Sequence, residues 1–374
     1  MSRMTLDQSQ QLDSIRALAA FAVLFGHTYQ TLLLPTLNSW FTLIVLLSQF
    51  AVMAFFVLSG FLIGKSVCNN VSRNSVFNVG EYAVDRALRL YPPLIVALVL
   101  MVLLALIAPH FFPSGTGSLL IIDNVDFVRT EFVTSWRDVW GALTFLNGLI
   151  VENPLANSPL WSLSLEAWYY VMAAGFFLWP GRKFLSVFLL VVTVYVTHKS
   201  SLFYLLAPVW FSGFGLAMIH QHNPRMNNKI FGWAFAVLSI AVAASIVYSM
   251  FNQPSGNEVI YERINIFRLA SGLWFACFLA LIFGGEVRFT KRLHTHASYS
   301  YTLYVIHFPV MLFVLGVSQE YIYSSLSRSL AVSAVTIMVS IVISWLLSRW
   351  VENKVVMQAG LQSVIRLAKR GEAA

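Results

Sequence analysis

Charge is what this chain has least of. Asp, Glu, Lys and Arg make up 11% of its 374 residues, whereas a soluble domain carries roughly 25%. That deficit excludes a water-facing surface, and with 58% hydrophobic residues the apolar excess must face lipid. Cysteine is almost missing too. Cys68 and Cys277 stand far apart with no second cysteine at metal-ligand or redox spacing, so no metal is expected and both should be free thiols. There is no block of like charge either: the net +8 is spread singly and in twos and threes between apolar runs. This fits membrane orientation and excludes nucleic acid as a partner. Repeats, low-complexity tracts and long linkers are absent as well. The chain therefore reads as one transmembrane domain over 1–351 and a basic amphipathic tail over 352–374, lying on the inner leaflet.

What is present is a series of apolar runs, each about 20 residues long and broken by polar or Pro/Gly-containing clusters. They predict an all-α polytopic membrane protein with about ten spans, near 12–34, 41–64, 90–109, 161–180, 184–200, 203–220, 230–251, 266–284, 299–317 and 328–350. The stretch 137–152 is apolar but short, and is expected to be a re-entrant or interfacial helix before the fourth span. The first run carries Asp7 and Asp13 where a cleaved signal would be basic, so it reads as a transmembrane helix. With the N-terminus inside, eighteen Lys and Arg fall in cytoplasmic segments and six (Arg129, Arg137, Lys199, Arg263, Arg268 and Arg328) outside. That bias predicts both termini in the cytoplasm.

Ionisable residues inside spans cost several kcal/mol unless they face a partner or a water-filled cavity, so the few present are informative. Arg16 and His27 lie eleven residues apart on the first helix, about 1100° of rotation and roughly 16 Å of rise. They share one face at different depths, with Asp13 one turn before Arg16. Arg16 is either an inside-flanking anchor or a binder of an anionic ligand; His27 is either a polar contact or a general base. Arg86 and Arg89 stand one turn apart, so their planar forks can converge on phosphate or merely orient the chain. Pro92 and Pro93 after them read as the first turn of the third span. Glu166 falls more than a turn into an apolar helix that starts at Trp161 and Ser162 and continues to Tyr169 and Tyr170. The ninth span runs from Ser298 through His307 to Pro309, and His307 is placed to bond a carbonyl freed by the proline. His198, His220, His222, His294 and His296 read as solvated loop residues.

Together these segments resemble the acyltransferase-3 family of membrane O-acyltransferases. Arg16 and His27 match its first-helix pattern of an arginine and a histidine separated by ten residues, and Arg86 and Arg89 match its paired arginines. Trp161, Ser162, Leu163, Glu166 and Tyr169 match its Trp-Ser-Leu segment with a following glutamate and aromatics. Phe55–Ile63 and Ser298–Pro309 are similar to two further blocks, so the likeness runs from about Leu12 to Trp350. It implies transfer of an acyl group, acetyl as first choice, from cytoplasmic acyl-coenzyme A to a sugar hydroxyl of a surface or secreted glycan, in a bacterial inner membrane. Some members carry a further hydrolase-like domain; the resemblance implies that such an activity is absent here or supplied by another protein. Arg16, Arg86 and Arg89 are then the expected carrier-binding residues. His27 is the expected base and Glu166 its orienting partner. Trp161, Ser162, Tyr169, Ser298 and His307 are supporting residues, with Ser162 or Tyr169 as oxyanion donor. The alternatives are a transporter, against which no inverted repeat is visible, and a family member that carries the acyl group across the membrane for a separate transferase.

Overall fold

A computed structural model of the chain describes residues 4–37, 39–117, 119, 131–223, 226, 228–251, 257–353 and 357. Among these, regular structure is helical apart from one isolated bridge between Asn147 and Val151. Helix α1 (Leu6–Thr28) opens on a reciprocal cap, Thr5 accepting from the Gln8 amide while the Gln8 side chain accepts from the Thr5 amide. It passes through a π-helical turn at Tyr29–Leu33 into the short α2 (Leu34–Leu37). Pro35 accounts for part of this irregularity, since it has no N–H for the carbonyl of Thr31. The Tyr323 hydroxyl donates to that oxygen at 2.7 Å instead.

There follow α3 (Phe41–Asn74), α4 (Val79–Ile107), α5 (Trp136–Leu143), α6 (Leu160–Leu178), α7 (Lys183–Thr197), α8 (Ser201–His222), α9 (Asn228–Phe251), α10 (Asn257–Gly284), α11 (Ser300–Ile322) and α12 (Leu326–Val351). Among the described residues, eight units are long and apolar enough to cross a membrane: the α1–α2 unit, α3, α4, α8, α9, α10, α11 and α12. The helices at the expected fourth and fifth spans, α6 and α7, are shorter at 19 and 15 residues. The protein is an all-α, multi-pass membrane protein. Both cysteines are free. Beyond Glu352, Asn353 and Met357, the expected amphipathic tail lies outside the described residues.

Two expected boundaries are corrected. The third span begins at Val79 rather than near Leu90, because Asn78 caps the Glu81 amide and Asn70 and Asn74 bond the Glu81 carboxylate. Arg86 and Arg89 therefore ride on α4 itself, and Pro92 and Pro93 lie inside the helix. The apolar stretch 137–152 forms only the eight-residue α5. Phe145 (φ 55°) and Gly148 (φ 74°) turn the chain out of helix. Tyr91 and Trp168 hold this corner, donating to the carbonyls of Leu143 and Phe145 at 3.0 and 2.9 Å.

The frame is set by a close crossing of α3 and α8. A Cβ on Gly60 would meet the Trp210 carbonyl at 2.0 Å, and one on Gly213 the Val57 carbonyl at 2.0 Å. Small residues let backbones meet where lipid provides no hydrophobic drive between helices. On α12, Ser329, Ser333, Thr336, Ser340, Ser344 and Ser348 are buried along one face. Its Leu330, Met338, Val342 and Leu346, like Trp233, Val237 and Ile240 of α9, remain exposed, as lipid-facing positions require.

Candidate active site

Between α1, α3, α4, α6 and the start of α11 lies a cleft. Arg16, Arg86, Arg89, Glu166, Ser162, Ser59, Tyr170, Ser300, Tyr301 and Tyr304 supply its polar lining, and Val52, Phe55, Phe56, Leu62 and Leu163 much of its apolar wall. Three cations from two helices thus face one space. Arg16 pairs with Asp13 at 3.2 Å and donates to the Ala297 carbonyl and Ser300 Oγ at 3.3 and 3.4 Å. Arg86 donates to Ser66 Oγ at 3.2 Å, while its Nε is buried with no hydrogen-bond partner among the described residues. Arg89 lies 6.0 Å from the centre of the Tyr301 ring.

Glu166 lines the same cleft from α6. Its Oε1 accepts from Ser59 Oγ at 2.5 Å and from the Tyr170 hydroxyl, and Ser59 in turn accepts from Trp210 Nε1 at 3.2 Å. These donors satisfy a carboxylate that apolar helices would otherwise penalise. Its charge acts on Arg16.

His27 stacks on His307, with ring centroids 5.4 Å apart and planes at 28°, and packs edge-on to Phe308. Neither histidine lines the cleft. They adjoin it through Tyr304, whose ring lies 6.2 Å from that of His307. His307 does not bond the carbonyl that Pro309 frees. That oxygen, on Val305, is taken by Asn157 Nδ2 at 2.8 Å, while His307 Nδ1 meets the Leu303 carbonyl at 3.0 Å. A carbonyl only accepts, so Nδ1 carries a proton. His307 Nε2 is buried without a hydrogen-bond partner among the described residues.

Several expected residues stand apart from the cleft. Tyr169 faces α8, stacking on Phe203 and Trp210 and donating to the Phe203 carbonyl at 2.6 Å. Trp161 stacks on Phe56. Ser298 is exposed and bonds the Thr295 carbonyl, and Ser300, two residues on, is the serine at Arg16. Ser162 does line the cleft, but its hydroxyl donates to the Pro159 carbonyl at 3.0 Å and meets the Tyr304 hydroxyl at 2.5 Å. Both expected oxyanion donors therefore have their protons committed. His220 is corrected from a solvated loop residue to one 1% exposed on α8, where its Nδ1 meets Lys65 Nζ at 3.0 Å.

Sequence reasoning assigned no role to Ser59, Tyr170, Ser300, Tyr301, Tyr304 or Glu352. Tyr170 was findable, lying four residues after Glu166 on the same helix face. Glu352, placed by sequence in the tail, accepts from Thr302 N at 2.8 Å and Thr302 Oγ1 at 2.6 Å. Burial pushes its carboxyl above the usual carboxylate range, against the pull of the Thr302 bonds and of Arg89 and Arg16.

Residues 9–349 match the family model described as an acyltransferase domain, acyltransferase-3. The chain belongs to the acyltransferase-3 family. It is similar to a peptidoglycan O-acetyltransferase, OatA, of Listeria monocytogenes, with 26% identity over 80% of this chain and 49% of the relative. It is also similar to nodulation protein 10 of Rhizobium leguminosarum bv. viciae (28%, over 42% of this chain and 41% of that protein). An uncharacterized protein of Haemophilus influenzae is 22% identical over 60% of this chain and 84% of its own length. This acyltransferase-3 chain thus spans about half the length, or less, of the two named relatives it matches. No solved structure matches it.

Proposed function

We propose that this acyltransferase-3 protein is a membrane O-acyltransferase that moves an acyl group, acetyl first, from acyl-coenzyme A to a hydroxyl of an extracytoplasmic glycan or its lipid-linked precursor. Its place would be the inner membrane of a bacterium. The observation that carries the donor assignment is the convergence of Arg16, Arg86 and Arg89 on one cleft, with Arg86 Nε lacking a partner among the described residues. Guanidinium forks suit phosphate, and the apolar wall of Val52, Phe55, Leu62 and Leu163 suits a pantetheine arm. The similarity to a peptidoglycan O-acetyltransferase supports the acceptor class.

In this reading the thioester reaches the Ser162–Tyr304 end of the cleft, next to the histidine pair. His27 takes the proton of the acceptor hydroxyl as its oxygen bonds the thioester carbon. The C–S bond then breaks and the proton passes to the departing coenzyme A thiolate. Glu166 serves the cleft rather than His27, holding Ser59 and Tyr170 in place and offsetting the arginine charge.

The test is the double change Arg86→Lys and Arg89→Lys, which keeps charge and orientation but removes the forks. Binding of coenzyme A to the purified protein should weaken at least about tenfold, the size expected for losing one to two charge-assisted hydrogen bonds. Unchanged binding in a correctly inserted double variant would reduce the pair to an orientation signal.

A further inference from the structure

One carboxylate close to the cleft has no part in the proposed chemistry. Glu352 follows the last residue of α12, does not line the cleft, and reaches the third residue of α11 through two hydrogen bonds to Thr302. The residue at the α11 N-terminus, Tyr299, offers no side-chain cap. Glu352 therefore does from fifty residues away what a local Ser or Asp does in most helices.

What that first turn carries gives the cap a consequence. Ser300 accepts from Arg16, Tyr301 lies under Arg89, and Tyr304 closes the end of the cleft against Ser162. The Glu352 charge also acts on both Arg16 and Arg89, which repel each other. A rotation or fraying of this turn would move Ser300 and Tyr301 together, and with them the surfaces on which two of the three guanidinium groups rest.

We infer that Glu352 is a positioning residue: by capping the first turn of α11 from outside the cleft, it holds Ser300 and Tyr301 where they set Arg16 and Arg89 for an anionic donor. This rests on the donor reading above, so the experiment uses two probes on the full-length protein in detergent, coenzyme A and inorganic diphosphate. Glu352→Ala removes the cap; Glu352→Gln retains an oxygen that can accept from Thr302 and discards only the charge. Glu352→Ala should weaken binding of both probes about tenfold, raise donor KM with kcat little changed, and speed amide exchange at Thr302. Glu352→Gln should restore all of these to within about threefold of the unaltered protein, a rescue that a general loss of stability would not give.

Glu352→Ala binding both probes as the unaltered protein does would overturn the inference. So would Glu352→Gln failing as badly as Glu352→Ala, since the effect would then belong to charge and not to the cap. An unaltered protein that binds diphosphate but not coenzyme A would sink the donor reading alone, the variants still being compared on diphosphate. One that binds neither would sink both.

Discussion

A buried guanidinium nitrogen without a partner costs on the order of 1–3 kcal/mol, and Arg86 Nε is in that position at the edge of the cleft. Such a cost is tolerated where a ligand relieves it. The different surroundings of Glu166 and His27 make a second point at this scale. Glu166 is held by Ser59 and Tyr170 on the arginine side, whereas His27 stacks on His307 beyond Tyr304, so the two should fail differently. His27→Ala should lower kcat by about 10²–10⁴, the usual worth of a general base, and leave coenzyme A binding unchanged. Glu166→Gln should raise donor KM several-fold and hold kcat within about threefold. Steady-state kinetics with acetyl-coenzyme A and a glycan fragment separate the two. Equal losses of kcat at unchanged KM would favour instead the pairing of Glu166 with His27 that the motif implies.

Among the elements, α3 is the one on which the others depend. It packs on α8 through Gly60 and Gly213 and places Ser59 against Glu166. Gly213→Ala would push a methyl into the Val57 carbonyl, 2.0 Å away, and backbone cannot yield as a flexible side chain can. Overpacking of this kind costs about 1–3 kcal/mol. The variant should melt earlier in detergent and lose the Ser59–Glu166 contact, whereas Gly215→Ala, which meets nothing within 4 Å, should melt as the unaltered protein does. Equal melting of the two would remove the crossing from the account. This scale also shows what could be read in advance. The long apolar helices and the shared face of Arg86 and Arg89 follow from hydropathy and one-turn spacing, because both are local, whereas the meeting of Arg16 with that pair is a contact between helices that only the family resemblance implied. The start of α4 was legible in principle, since Asn78 followed by Glu81 is a cap signal, but the proline pair drew the boundary forward. The π-helical turn after His27 and the return of Glu352 to Thr302 depend on residues hundreds of positions away or fifty apart. Pro35 signals locally that the helix is disturbed, but no local pattern encodes the partner that either contact finds.

For the whole molecule, function turns on which side of the membrane the arginine cleft opens. Arg16 lies three turns before His27 on one helix face and Arg86 lies in the first third of α4, so the arginines sit closer than His27 to the end of the bundle where α1 begins. The distribution of Lys and Arg predicts that this end faces the cytoplasm, the side from which coenzyme A would come. The histidine pair, deeper along α1 and α11, then stands nearer the outer face from which a glycan would approach. An enzyme that takes its donor from one side and its acceptor from the other needs this order of groups along the membrane normal. Reporter fusions at Ser114, after α4, and at Gln358, after α12, test it directly. Ser114 should report outside and Gln358 inside. A cytoplasmic Ser114 would turn the arginine cleft outward, away from cytoplasmic acyl-coenzyme A. The three arginines would then have to serve an anionic acceptor instead, and coenzyme A added to sealed right-side-out vesicles, rather than inverted ones, would be the form that reaches them.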